Sequence, residues 1–181
     1  ELLVNQYLAS PQYGERWARF WLDLVRYTDT TSSWLKSTAG SHYYRDWVVR
    51  AFNEDMPYDQ FAEELLTATG STMNNPPANF YRTAGDTNDC VETISQIFLG
   101  ARLQCAKCHN HPFERWSQAD YFGLAAVFAR VGRKGGFADA EVPTNEVIYL
   151  KERGEVLHPR SGQSIVPRPL GGPDFELKRY D

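Results

Sequence analysis

Sulfur is scarce in this chain, with three cysteines and two methionines in 181 residues. So few cysteines exclude a disulfide-stapled scaffold, and a chain of this length builds its core without one. Basic runs are also missing. The net charge is -4 and the basic residues lie among acidic ones, so nucleic-acid binding has no electrostatic footprint. No apolar run approaches the length of a membrane span, and no secretory leader opens the chain. Glu1-Leu2-Leu3-Val4-Asn5 reads instead as the middle of a helix, and Lys178-Arg179-Tyr180-Asp181 ends without a terminal element. The chain therefore reads as a mature piece of a longer protein, and the missing leader says nothing about export. Aromatics are abundant, at 14% with five Trp and ten Tyr, which is a globular composition and not a disordered one.

Helical periodicity dominates the first two thirds. Residues 1–9 form a short helical pattern closed by Ser10-Pro11. Residues 13–27 form a second, in which Trp17, Phe20, Trp21 and Leu24 make an aromatic stripe. The Thr- and Ser-rich stretch 28–40 reads as a loop. Ser41 caps a helix with Tyr44, Trp47, Val48 and Ala51 inward, and Pro57 opens another with Tyr58, Phe61 and Leu65 inward. Residues 70–88, with Asn74-Asn75-Pro76-Pro77, lack periodicity and form a long irregular connection. Asp89 and Glu92 resemble a capping box on a helix over 89–103, with Ile94, Ile97, Phe98 and Ala101 on one face. Ser117 and Asp120 make a second box before Tyr121, Leu124, Ala125 and Phe128. Residues 131–145 are Gly-rich and loose.

The tail differs. Residues 147–150 and 155–157 flank Glu152-Arg153-Gly154 and read as a β-hairpin, followed by an arm containing Pro159, Pro167, Pro169 and Pro173. The predicted fold is mainly α: a helical domain over 1–145, then a small C-terminal β-hairpin and an extended Pro/Gly-rich arm over 146–181, packed on the same domain.

Two of the three cysteines stand together, in Cys105-Ala106-Lys107-Cys108-His109, followed by Asn110-His111-Pro112-Phe113. Two cysteines two residues apart with a histidine directly after match c-type haem attachment. The order is chemical. Each thiol adds across one haem vinyl group, and the next side chain must be an imidazole that reaches the iron. The motif predicts one covalent haem c on Cys105 and Cys108, with His109 as proximal ligand. A structural zinc on Cys90, Cys105, Cys108 and His158 is the main rival, although it lacks a second closely spaced ligand pair. A Cys105–Cys108 redox pair is the third reading, without a βαβ pattern to support it. Under haem, Cys90 is a small buried hydrophobe.

The distal side of the iron is less determined. His158, in the arm, is the first candidate, with His111, His42 and Met73 as alternatives. His111 lies only two residues past His109, and Asn110-His111-Pro112 reads as the turn leaving the haem. An open or water-filled sixth position is equally consistent, and such an iron binds small ligands or peroxide. Arg102 is a candidate partner for the haem propionates. No nucleophile elbow, phosphate-cradling loop or His-Glu-x-x-His competes. Asp55, Asp59, Glu63 and Glu64 read as a solvated face.

Several segments together carry a family resemblance. They are Tyr13-Gly14-Glu15-Arg16-Trp17-Ala18-Arg19-Phe20-Trp21-Leu22-Asp23-Leu24-Val25-Arg26-Tyr27, Tyr44-Arg45-Asp46-Trp47-Val48, Ala51-Phe52-Asn53 with Met56-Pro57-Tyr58-Asp59-Gln60-Phe61, Asn75-Pro76-Pro77-Ala78-Asn79-Phe80-Tyr81-Arg82, and the Cys105 to Phe113 motif. They resemble the planctomycete DUF1549 family, also called PSCyt2, a cytochrome-c-like group. The stretch from His158-Pro159-Arg160 to Pro169-Leu170-Gly171-Gly172 is similar to the segment that leads into a DUF1553 domain. The resemblance implies a large exported protein, periplasmic or extracellular, often joined to another cytochrome-like or sugar-binding module, with no established reaction. Cys105, Cys108 and His109 match the family motif, and its name rests on the same motif. His158 lies in a matching segment; His42 and Met73 do not.

The leading expectation is a monohaem electron-transfer domain, more a carrier than a catalyst. Its partner would be a redox protein or a neighbouring haem subunit, in a homo-oligomer or a longer chain. A binding module of an extracellular assembly with haem as structural cement is the alternative from another class. A haem enzyme with an open distal side is the third.

Overall fold

Helices form where the periodicity places them, and the described part of the chain is mainly helical. The structure, a computed structural model, describes residues 1–28, 30–31, 36–37, 40–135 and 146–176. Much of the polar loop 28–40, the Gly-rich stretch beyond Gly135 and the terminal Lys178-Arg179-Tyr180-Asp181 lie outside those residues. The helices are α1 (Leu2–Leu8), α2 (Gln12–Leu24), α3 (Ser41–Asn53), α4 (Tyr58–Thr67), α5 (Phe80–Thr83), α6 (Thr87–Phe98) and α7 (Gln118–Phe128). Short strands are β1 (Thr30–Thr31), β2 (Lys36–Ser37), β3 (Gly70–Ser71), β4 (Val131–Lys134) and β5 (Val147–Leu150). The chain divides into two units, residues 1–83 with 133–148, and residues 84–132 with 149–181.

The first unit is organised by α2 against α3. The face of α2 that is buried carries Gly14, Ala18, Trp21 and Leu22. This corrects the predicted stripe, because Trp17, Phe20 and Leu24 are exposed. Small residues decide which face wins. A Cβ on Gly14 would collide with the Val49 carbonyl oxygen, and the Gly14 N–H donates to Asn53 Oδ1 at 2.8 Å. A large side chain cannot enter such an approach. Trp17 and Phe20 pack on each other outside it, ring centroids 5.5 Å apart, with the Arg16 guanidinium over Phe20.

Inside, Trp21 meets Phe61 edge-on at 4.8 Å, and Trp47 stacks on Phe61 at 5.0 Å. Aromatic pairs of this kind add about 0.5–1.5 kcal/mol beyond their buried area. The Trp21 Nε1–H donates to the Tyr44 hydroxyl at 2.9 Å, and burial pushes the Tyr44 phenol well above its usual range. The α3 stripe is as predicted. On α4, Phe61 and Leu65 are buried, while Tyr58 is exposed against expectation.

The predicted irregular connection over 70–88 is ordered and largely interior. Pro76 and Pro77 open a 3-10 turn, Pro76–Asn79, that leads into α5. Buried Asn79 donates through Nδ2 to the carbonyls of Thr72 and Pro76, at 2.7 and 2.9 Å. The side chain supplies backbone pairing that no periodic element provides. Strand β3 pairs antiparallel with β5, Gly70 opposite Ile148, in a three-stranded sheet ordered β3-β5-β4.

The β element departs from the prediction in its partners. Residues 147–150 form a strand, but residues 155–157 do not return along it. Instead the Lys151 N–H donates to the Arg130 carbonyl, and Arg130 Nε donates to the Lys151 carbonyl. Gly154 lies against the Ala129 carbonyl so closely that a Cβ would clash. Those contacts carry the chain past the end of α7. The turn-back comes later, where Leu157 bridges Ser164 and the Ile165 N–H donates to the Val156 carbonyl at 2.8 Å.

The second unit has a core that mixes aliphatic and small residues with Tyr121 and Phe122, drawn from α6, α7 and the turn between them. Val91, Leu103, Ala106, Tyr121 and Ala125 are fully buried there. Helix α6 begins at Thr87, two residues earlier than expected, because Asp86 and Asp89 form the capping box. The box at Ser117 and Asp120 is as predicted. The Pro/Gly arm packs on this unit: Ile165 and Leu170 cover the core, and the Arg168 N–H donates to the Gly123 carbonyl.

Candidate haem-attachment site

Helix α6 stops at Leu99, and Gly100, at φ +65°, supplies the left-handed turn that redirects the chain. Exposed Arg102 precedes a 3-10 turn, Leu103–Lys107. In that turn Leu103 and Ala106 are fully buried, while Cys105 and Cys108 are exposed free thiols. The alternation anchors the segment through two apolar side chains and presents both sulfurs outward. The N–H groups of Cys108 and His109 both point to the Cys105 carbonyl, at 3.4 and 3.5 Å. The motif is thus one tight loop.

His109 is also exposed, and its Nδ1 lies 2.7 Å from its neighbour's carbonyl, Asn110 O. A carbonyl only accepts, so Nδ1 carries the proton and Nε2 presents its lone pair. That is the tautomer an iron ligand through Nε2 needs.

The following loop is tied to α7. The His111 N–H donates to the Trp116 carbonyl at 2.8 Å, and Gln118 Nε2 donates to the Lys107 carbonyl at 2.8 Å. Asn110 Oδ1 accepts from the Gln118 N–H at 3.3 Å. Asp120 accepts from the Ser117 N–H and hydroxyl at 2.8 and 2.7 Å. Partial burial raises the Asp120 pKa, but those bonds and the charges of Arg168 and Arg115 outweigh it and hold the carboxyl below its usual range. On the other side, Lys107 Nζ lies 3.7 Å from Glu92 Oε1, which also accepts from the Tyr121 hydroxyl at 3.1 Å. Burial, and then the Glu92 charge, push the Tyr121 phenol well above its usual range. Sequence reasoning missed the roles of Gln118, Asn110 and Glu92, since a polar residue near a helix start carries no signal that distinguishes a loop tie from a solvated side chain.

The remaining candidates are spread out. His158 lies in the arm of the second unit, 6.2 Å from the Phe122 ring, and its own N–H donates to the Gln163 carbonyl. His42 and Met73 belong to the first unit; His42 packs on the Tyr43 ring, and the Met73 N–H donates to Ser71 Oγ. Cys90 is buried, its thiol donating to the Ala84 carbonyl at 3.2 Å. Among the described residues no three His, Cys, Asp or Glu side chains converge to hold a metal ion. The four-ligand zinc reading, which needs Cys90 and His158 beside the exposed pair, is not assembled. The donor set fits a thioether-linked haem instead, since the sulfurs then bond to carbon and only one imidazole must reach the metal.

No curated protein and no solved structure matches the chain. One family model does, over residues 1–133, an extent that takes in α1 to α7 and the cysteine motif. The chain belongs to the PSCyt2 family, described as a protein of unknown function (DUF1549).

Proposed function

We propose that the second unit carries one covalently attached haem c and passes electrons, as a domain of a larger exported protein. The single observation that supports it most is the outward presentation of Cys105, Cys108 and His109 on one anchored loop, with the His109 proton held on Nδ1. Cys105 and Cys108 would hold the haem by each adding its S–H across a vinyl group, sulfur to the carbon nearest the ring and hydrogen to the terminal carbon, with no redox co-reactant consumed. When bound, the haem supplies a one-electron ferric/ferrous couple. This chain's residues attach it, orient it and set its exposure. Leu103 and Ala106 hold the loop down, and the Asn110 carbonyl fixes the plane of the His109 ring. A haem held on these exposed attachment residues would be within reach of a redox protein or a neighbouring haem subunit as electron partner.

Export, to the periplasm or beyond the cell, follows from this reading, because covalent attachment requires reduced thiols and haem delivered together outside the cytoplasm. The planctomycete origin and the run towards a DUF1553 domain belong to the same reading. Coexpression with a cytochrome c maturation system tests it. Haem staining on a denaturing gel should survive in the wild type, weaken in Cys105→Ser and Cys108→Ser, and vanish in the double variant. Staining in the double variant, or none in the wild type, would refute covalent attachment.

A further inference from the structure

Two of the three histidines of the second unit do work that haem attachment does not use. A backbone N–H only donates, so a ring nitrogen facing one must present its lone pair. At His111 that nitrogen is Nδ1, which accepts from the N–H groups of Phe113 and Glu114 at 3.3 and 3.0 Å. At His158 Nδ1 accepts from the N–H groups of Arg160 and Ser161, both at 3.3 Å. The neutral ring then carries its proton on Nε2, which leaves Nε2 no lone pair for iron. Moving that proton to Nδ1 would set it against two N–H groups. His109 is the reverse case, with Nδ1 donating to a carbonyl. One imidazole is set to ligate, and two are set to tie backbone.

The ties are local and complete. The His111 main chain donates to the Trp116 carbonyl while its ring holds residues 113 and 114, so the segment between His109 and α7 is fastened at several points. The His158 N–H donates to the Gln163 carbonyl and its own carbonyl accepts from Gly162 at 2.9 Å, so its ring closes the turn of the arm.

Resting on the haem reading above, we propose that His111 and His158 are positioning residues that clamp their own turns and that neither ligates the iron. The second histidine of the Cys105 to Phe113 motif thereby acquires a role. It fixes the loop that aims the first.

Imidazole proton–nitrogen correlation spectra of the purified full chain, at a pH where imidazoles are neutral, read the tautomers directly. His111 and His158 should be protonated on Nε2 and His109 on Nδ1; an Nδ1–H proton on His111 or His158 would overturn the clamps. In the haem-loaded protein the readout is the ferric spin state. His111→Asn and His158→Asn each keep an acceptor oxygen for the backbone N–H groups and should leave the spin state unchanged. His111→Phe removes the acceptor and should lower covalent haem yield several-fold, while His111→Asn preserves it. A low-spin wild type that turns high-spin in either Asn variant would make that histidine a ligand and sink the proposal. Absence of covalent haem from the wild type would remove the haem reading, and the tautomer spectra would still decide the clamps.

Discussion

The outer face of α2 and the Leu103–Lys107 turn make opposite use of their large and small residues. On α2 the bulky aromatics Trp17 and Phe20 face solvent, and Gly14 and Ala18 take the interior. In the turn and its cap, Cys105 and Cys108 face solvent, and Leu103 with Ala106 take the interior. In both, a small residue marks the close approach: Gly14 lets α3 come near, and Ala106 lets the loop lie flat on its core. Size complementarity, more than hydrophobicity, sets which way each element turns. The first unit is then stabilised by a deep aromatic cluster. The second presents its two exposed thiols beside a core that sets Tyr121 and Phe122 among aliphatic and small side chains.

Breaking each core tests the contrast most severely. Phe61→Ala removes the ring that both Trp21 and Trp47 contact, and should cost about 3–5 kcal/mol in a denaturant titration. A loss under 1 kcal/mol would mean the aromatic cluster is not the centre of the first unit. Ala106→Leu overpacks a fully buried position and should cost about 1–3 kcal/mol while lowering covalent haem yield. Unchanged yield would show that the anchoring of the turn does not set the cysteines.

Acid sharpens the second unit. The Asp120 carboxyl has a lowered pKa in the folded chain, so its contribution is present above the unfolded carboxylate value, about 3.9, and is lost as pH falls through the folded value. Asp120→Asn should therefore flatten the acid limb of the stability-versus-pH curve and leave the curve near neutrality parallel to the wild type. An acid limb as steep as that of the wild type would discount the box. The smallest effect belongs to the outer face of α2. Trp17→Gln should change stability by no more than about 0.5 kcal/mol, as surface substitutions do. A loss above 2 kcal/mol would place that ring in a core.

How much of this could be read from the sequence follows from the same residues. The helices, the Ser117–Asp120 box and the α3 stripe were legible, because period and capping chemistry act over a few positions. The buried face of α2 was not. It carries two apolar stripes, and the choice between them depends on a Gly14–Val49 approach between distant segments. The course of residues 151–157 was illegible for a similar reason, since the contacts of Arg130 and Gly154 with the end of α7 displaced a local hairpin signal. At the candidate site, the spacing named Cys105, Cys108 and His109. It could not separate the three imidazoles of the second unit, because a tautomer is set by whether a ring meets a carbonyl or an N–H.

The central claim is covalent haem on Cys105 and Cys108, and one measurement meets it most directly. A pyridine haemochrome spectrum taken with the intact mass of the full chain, expressed with cytochrome c maturation, should show a c-type spectrum and one added haem per chain. An unmodified mass with no Soret absorption would contradict the account.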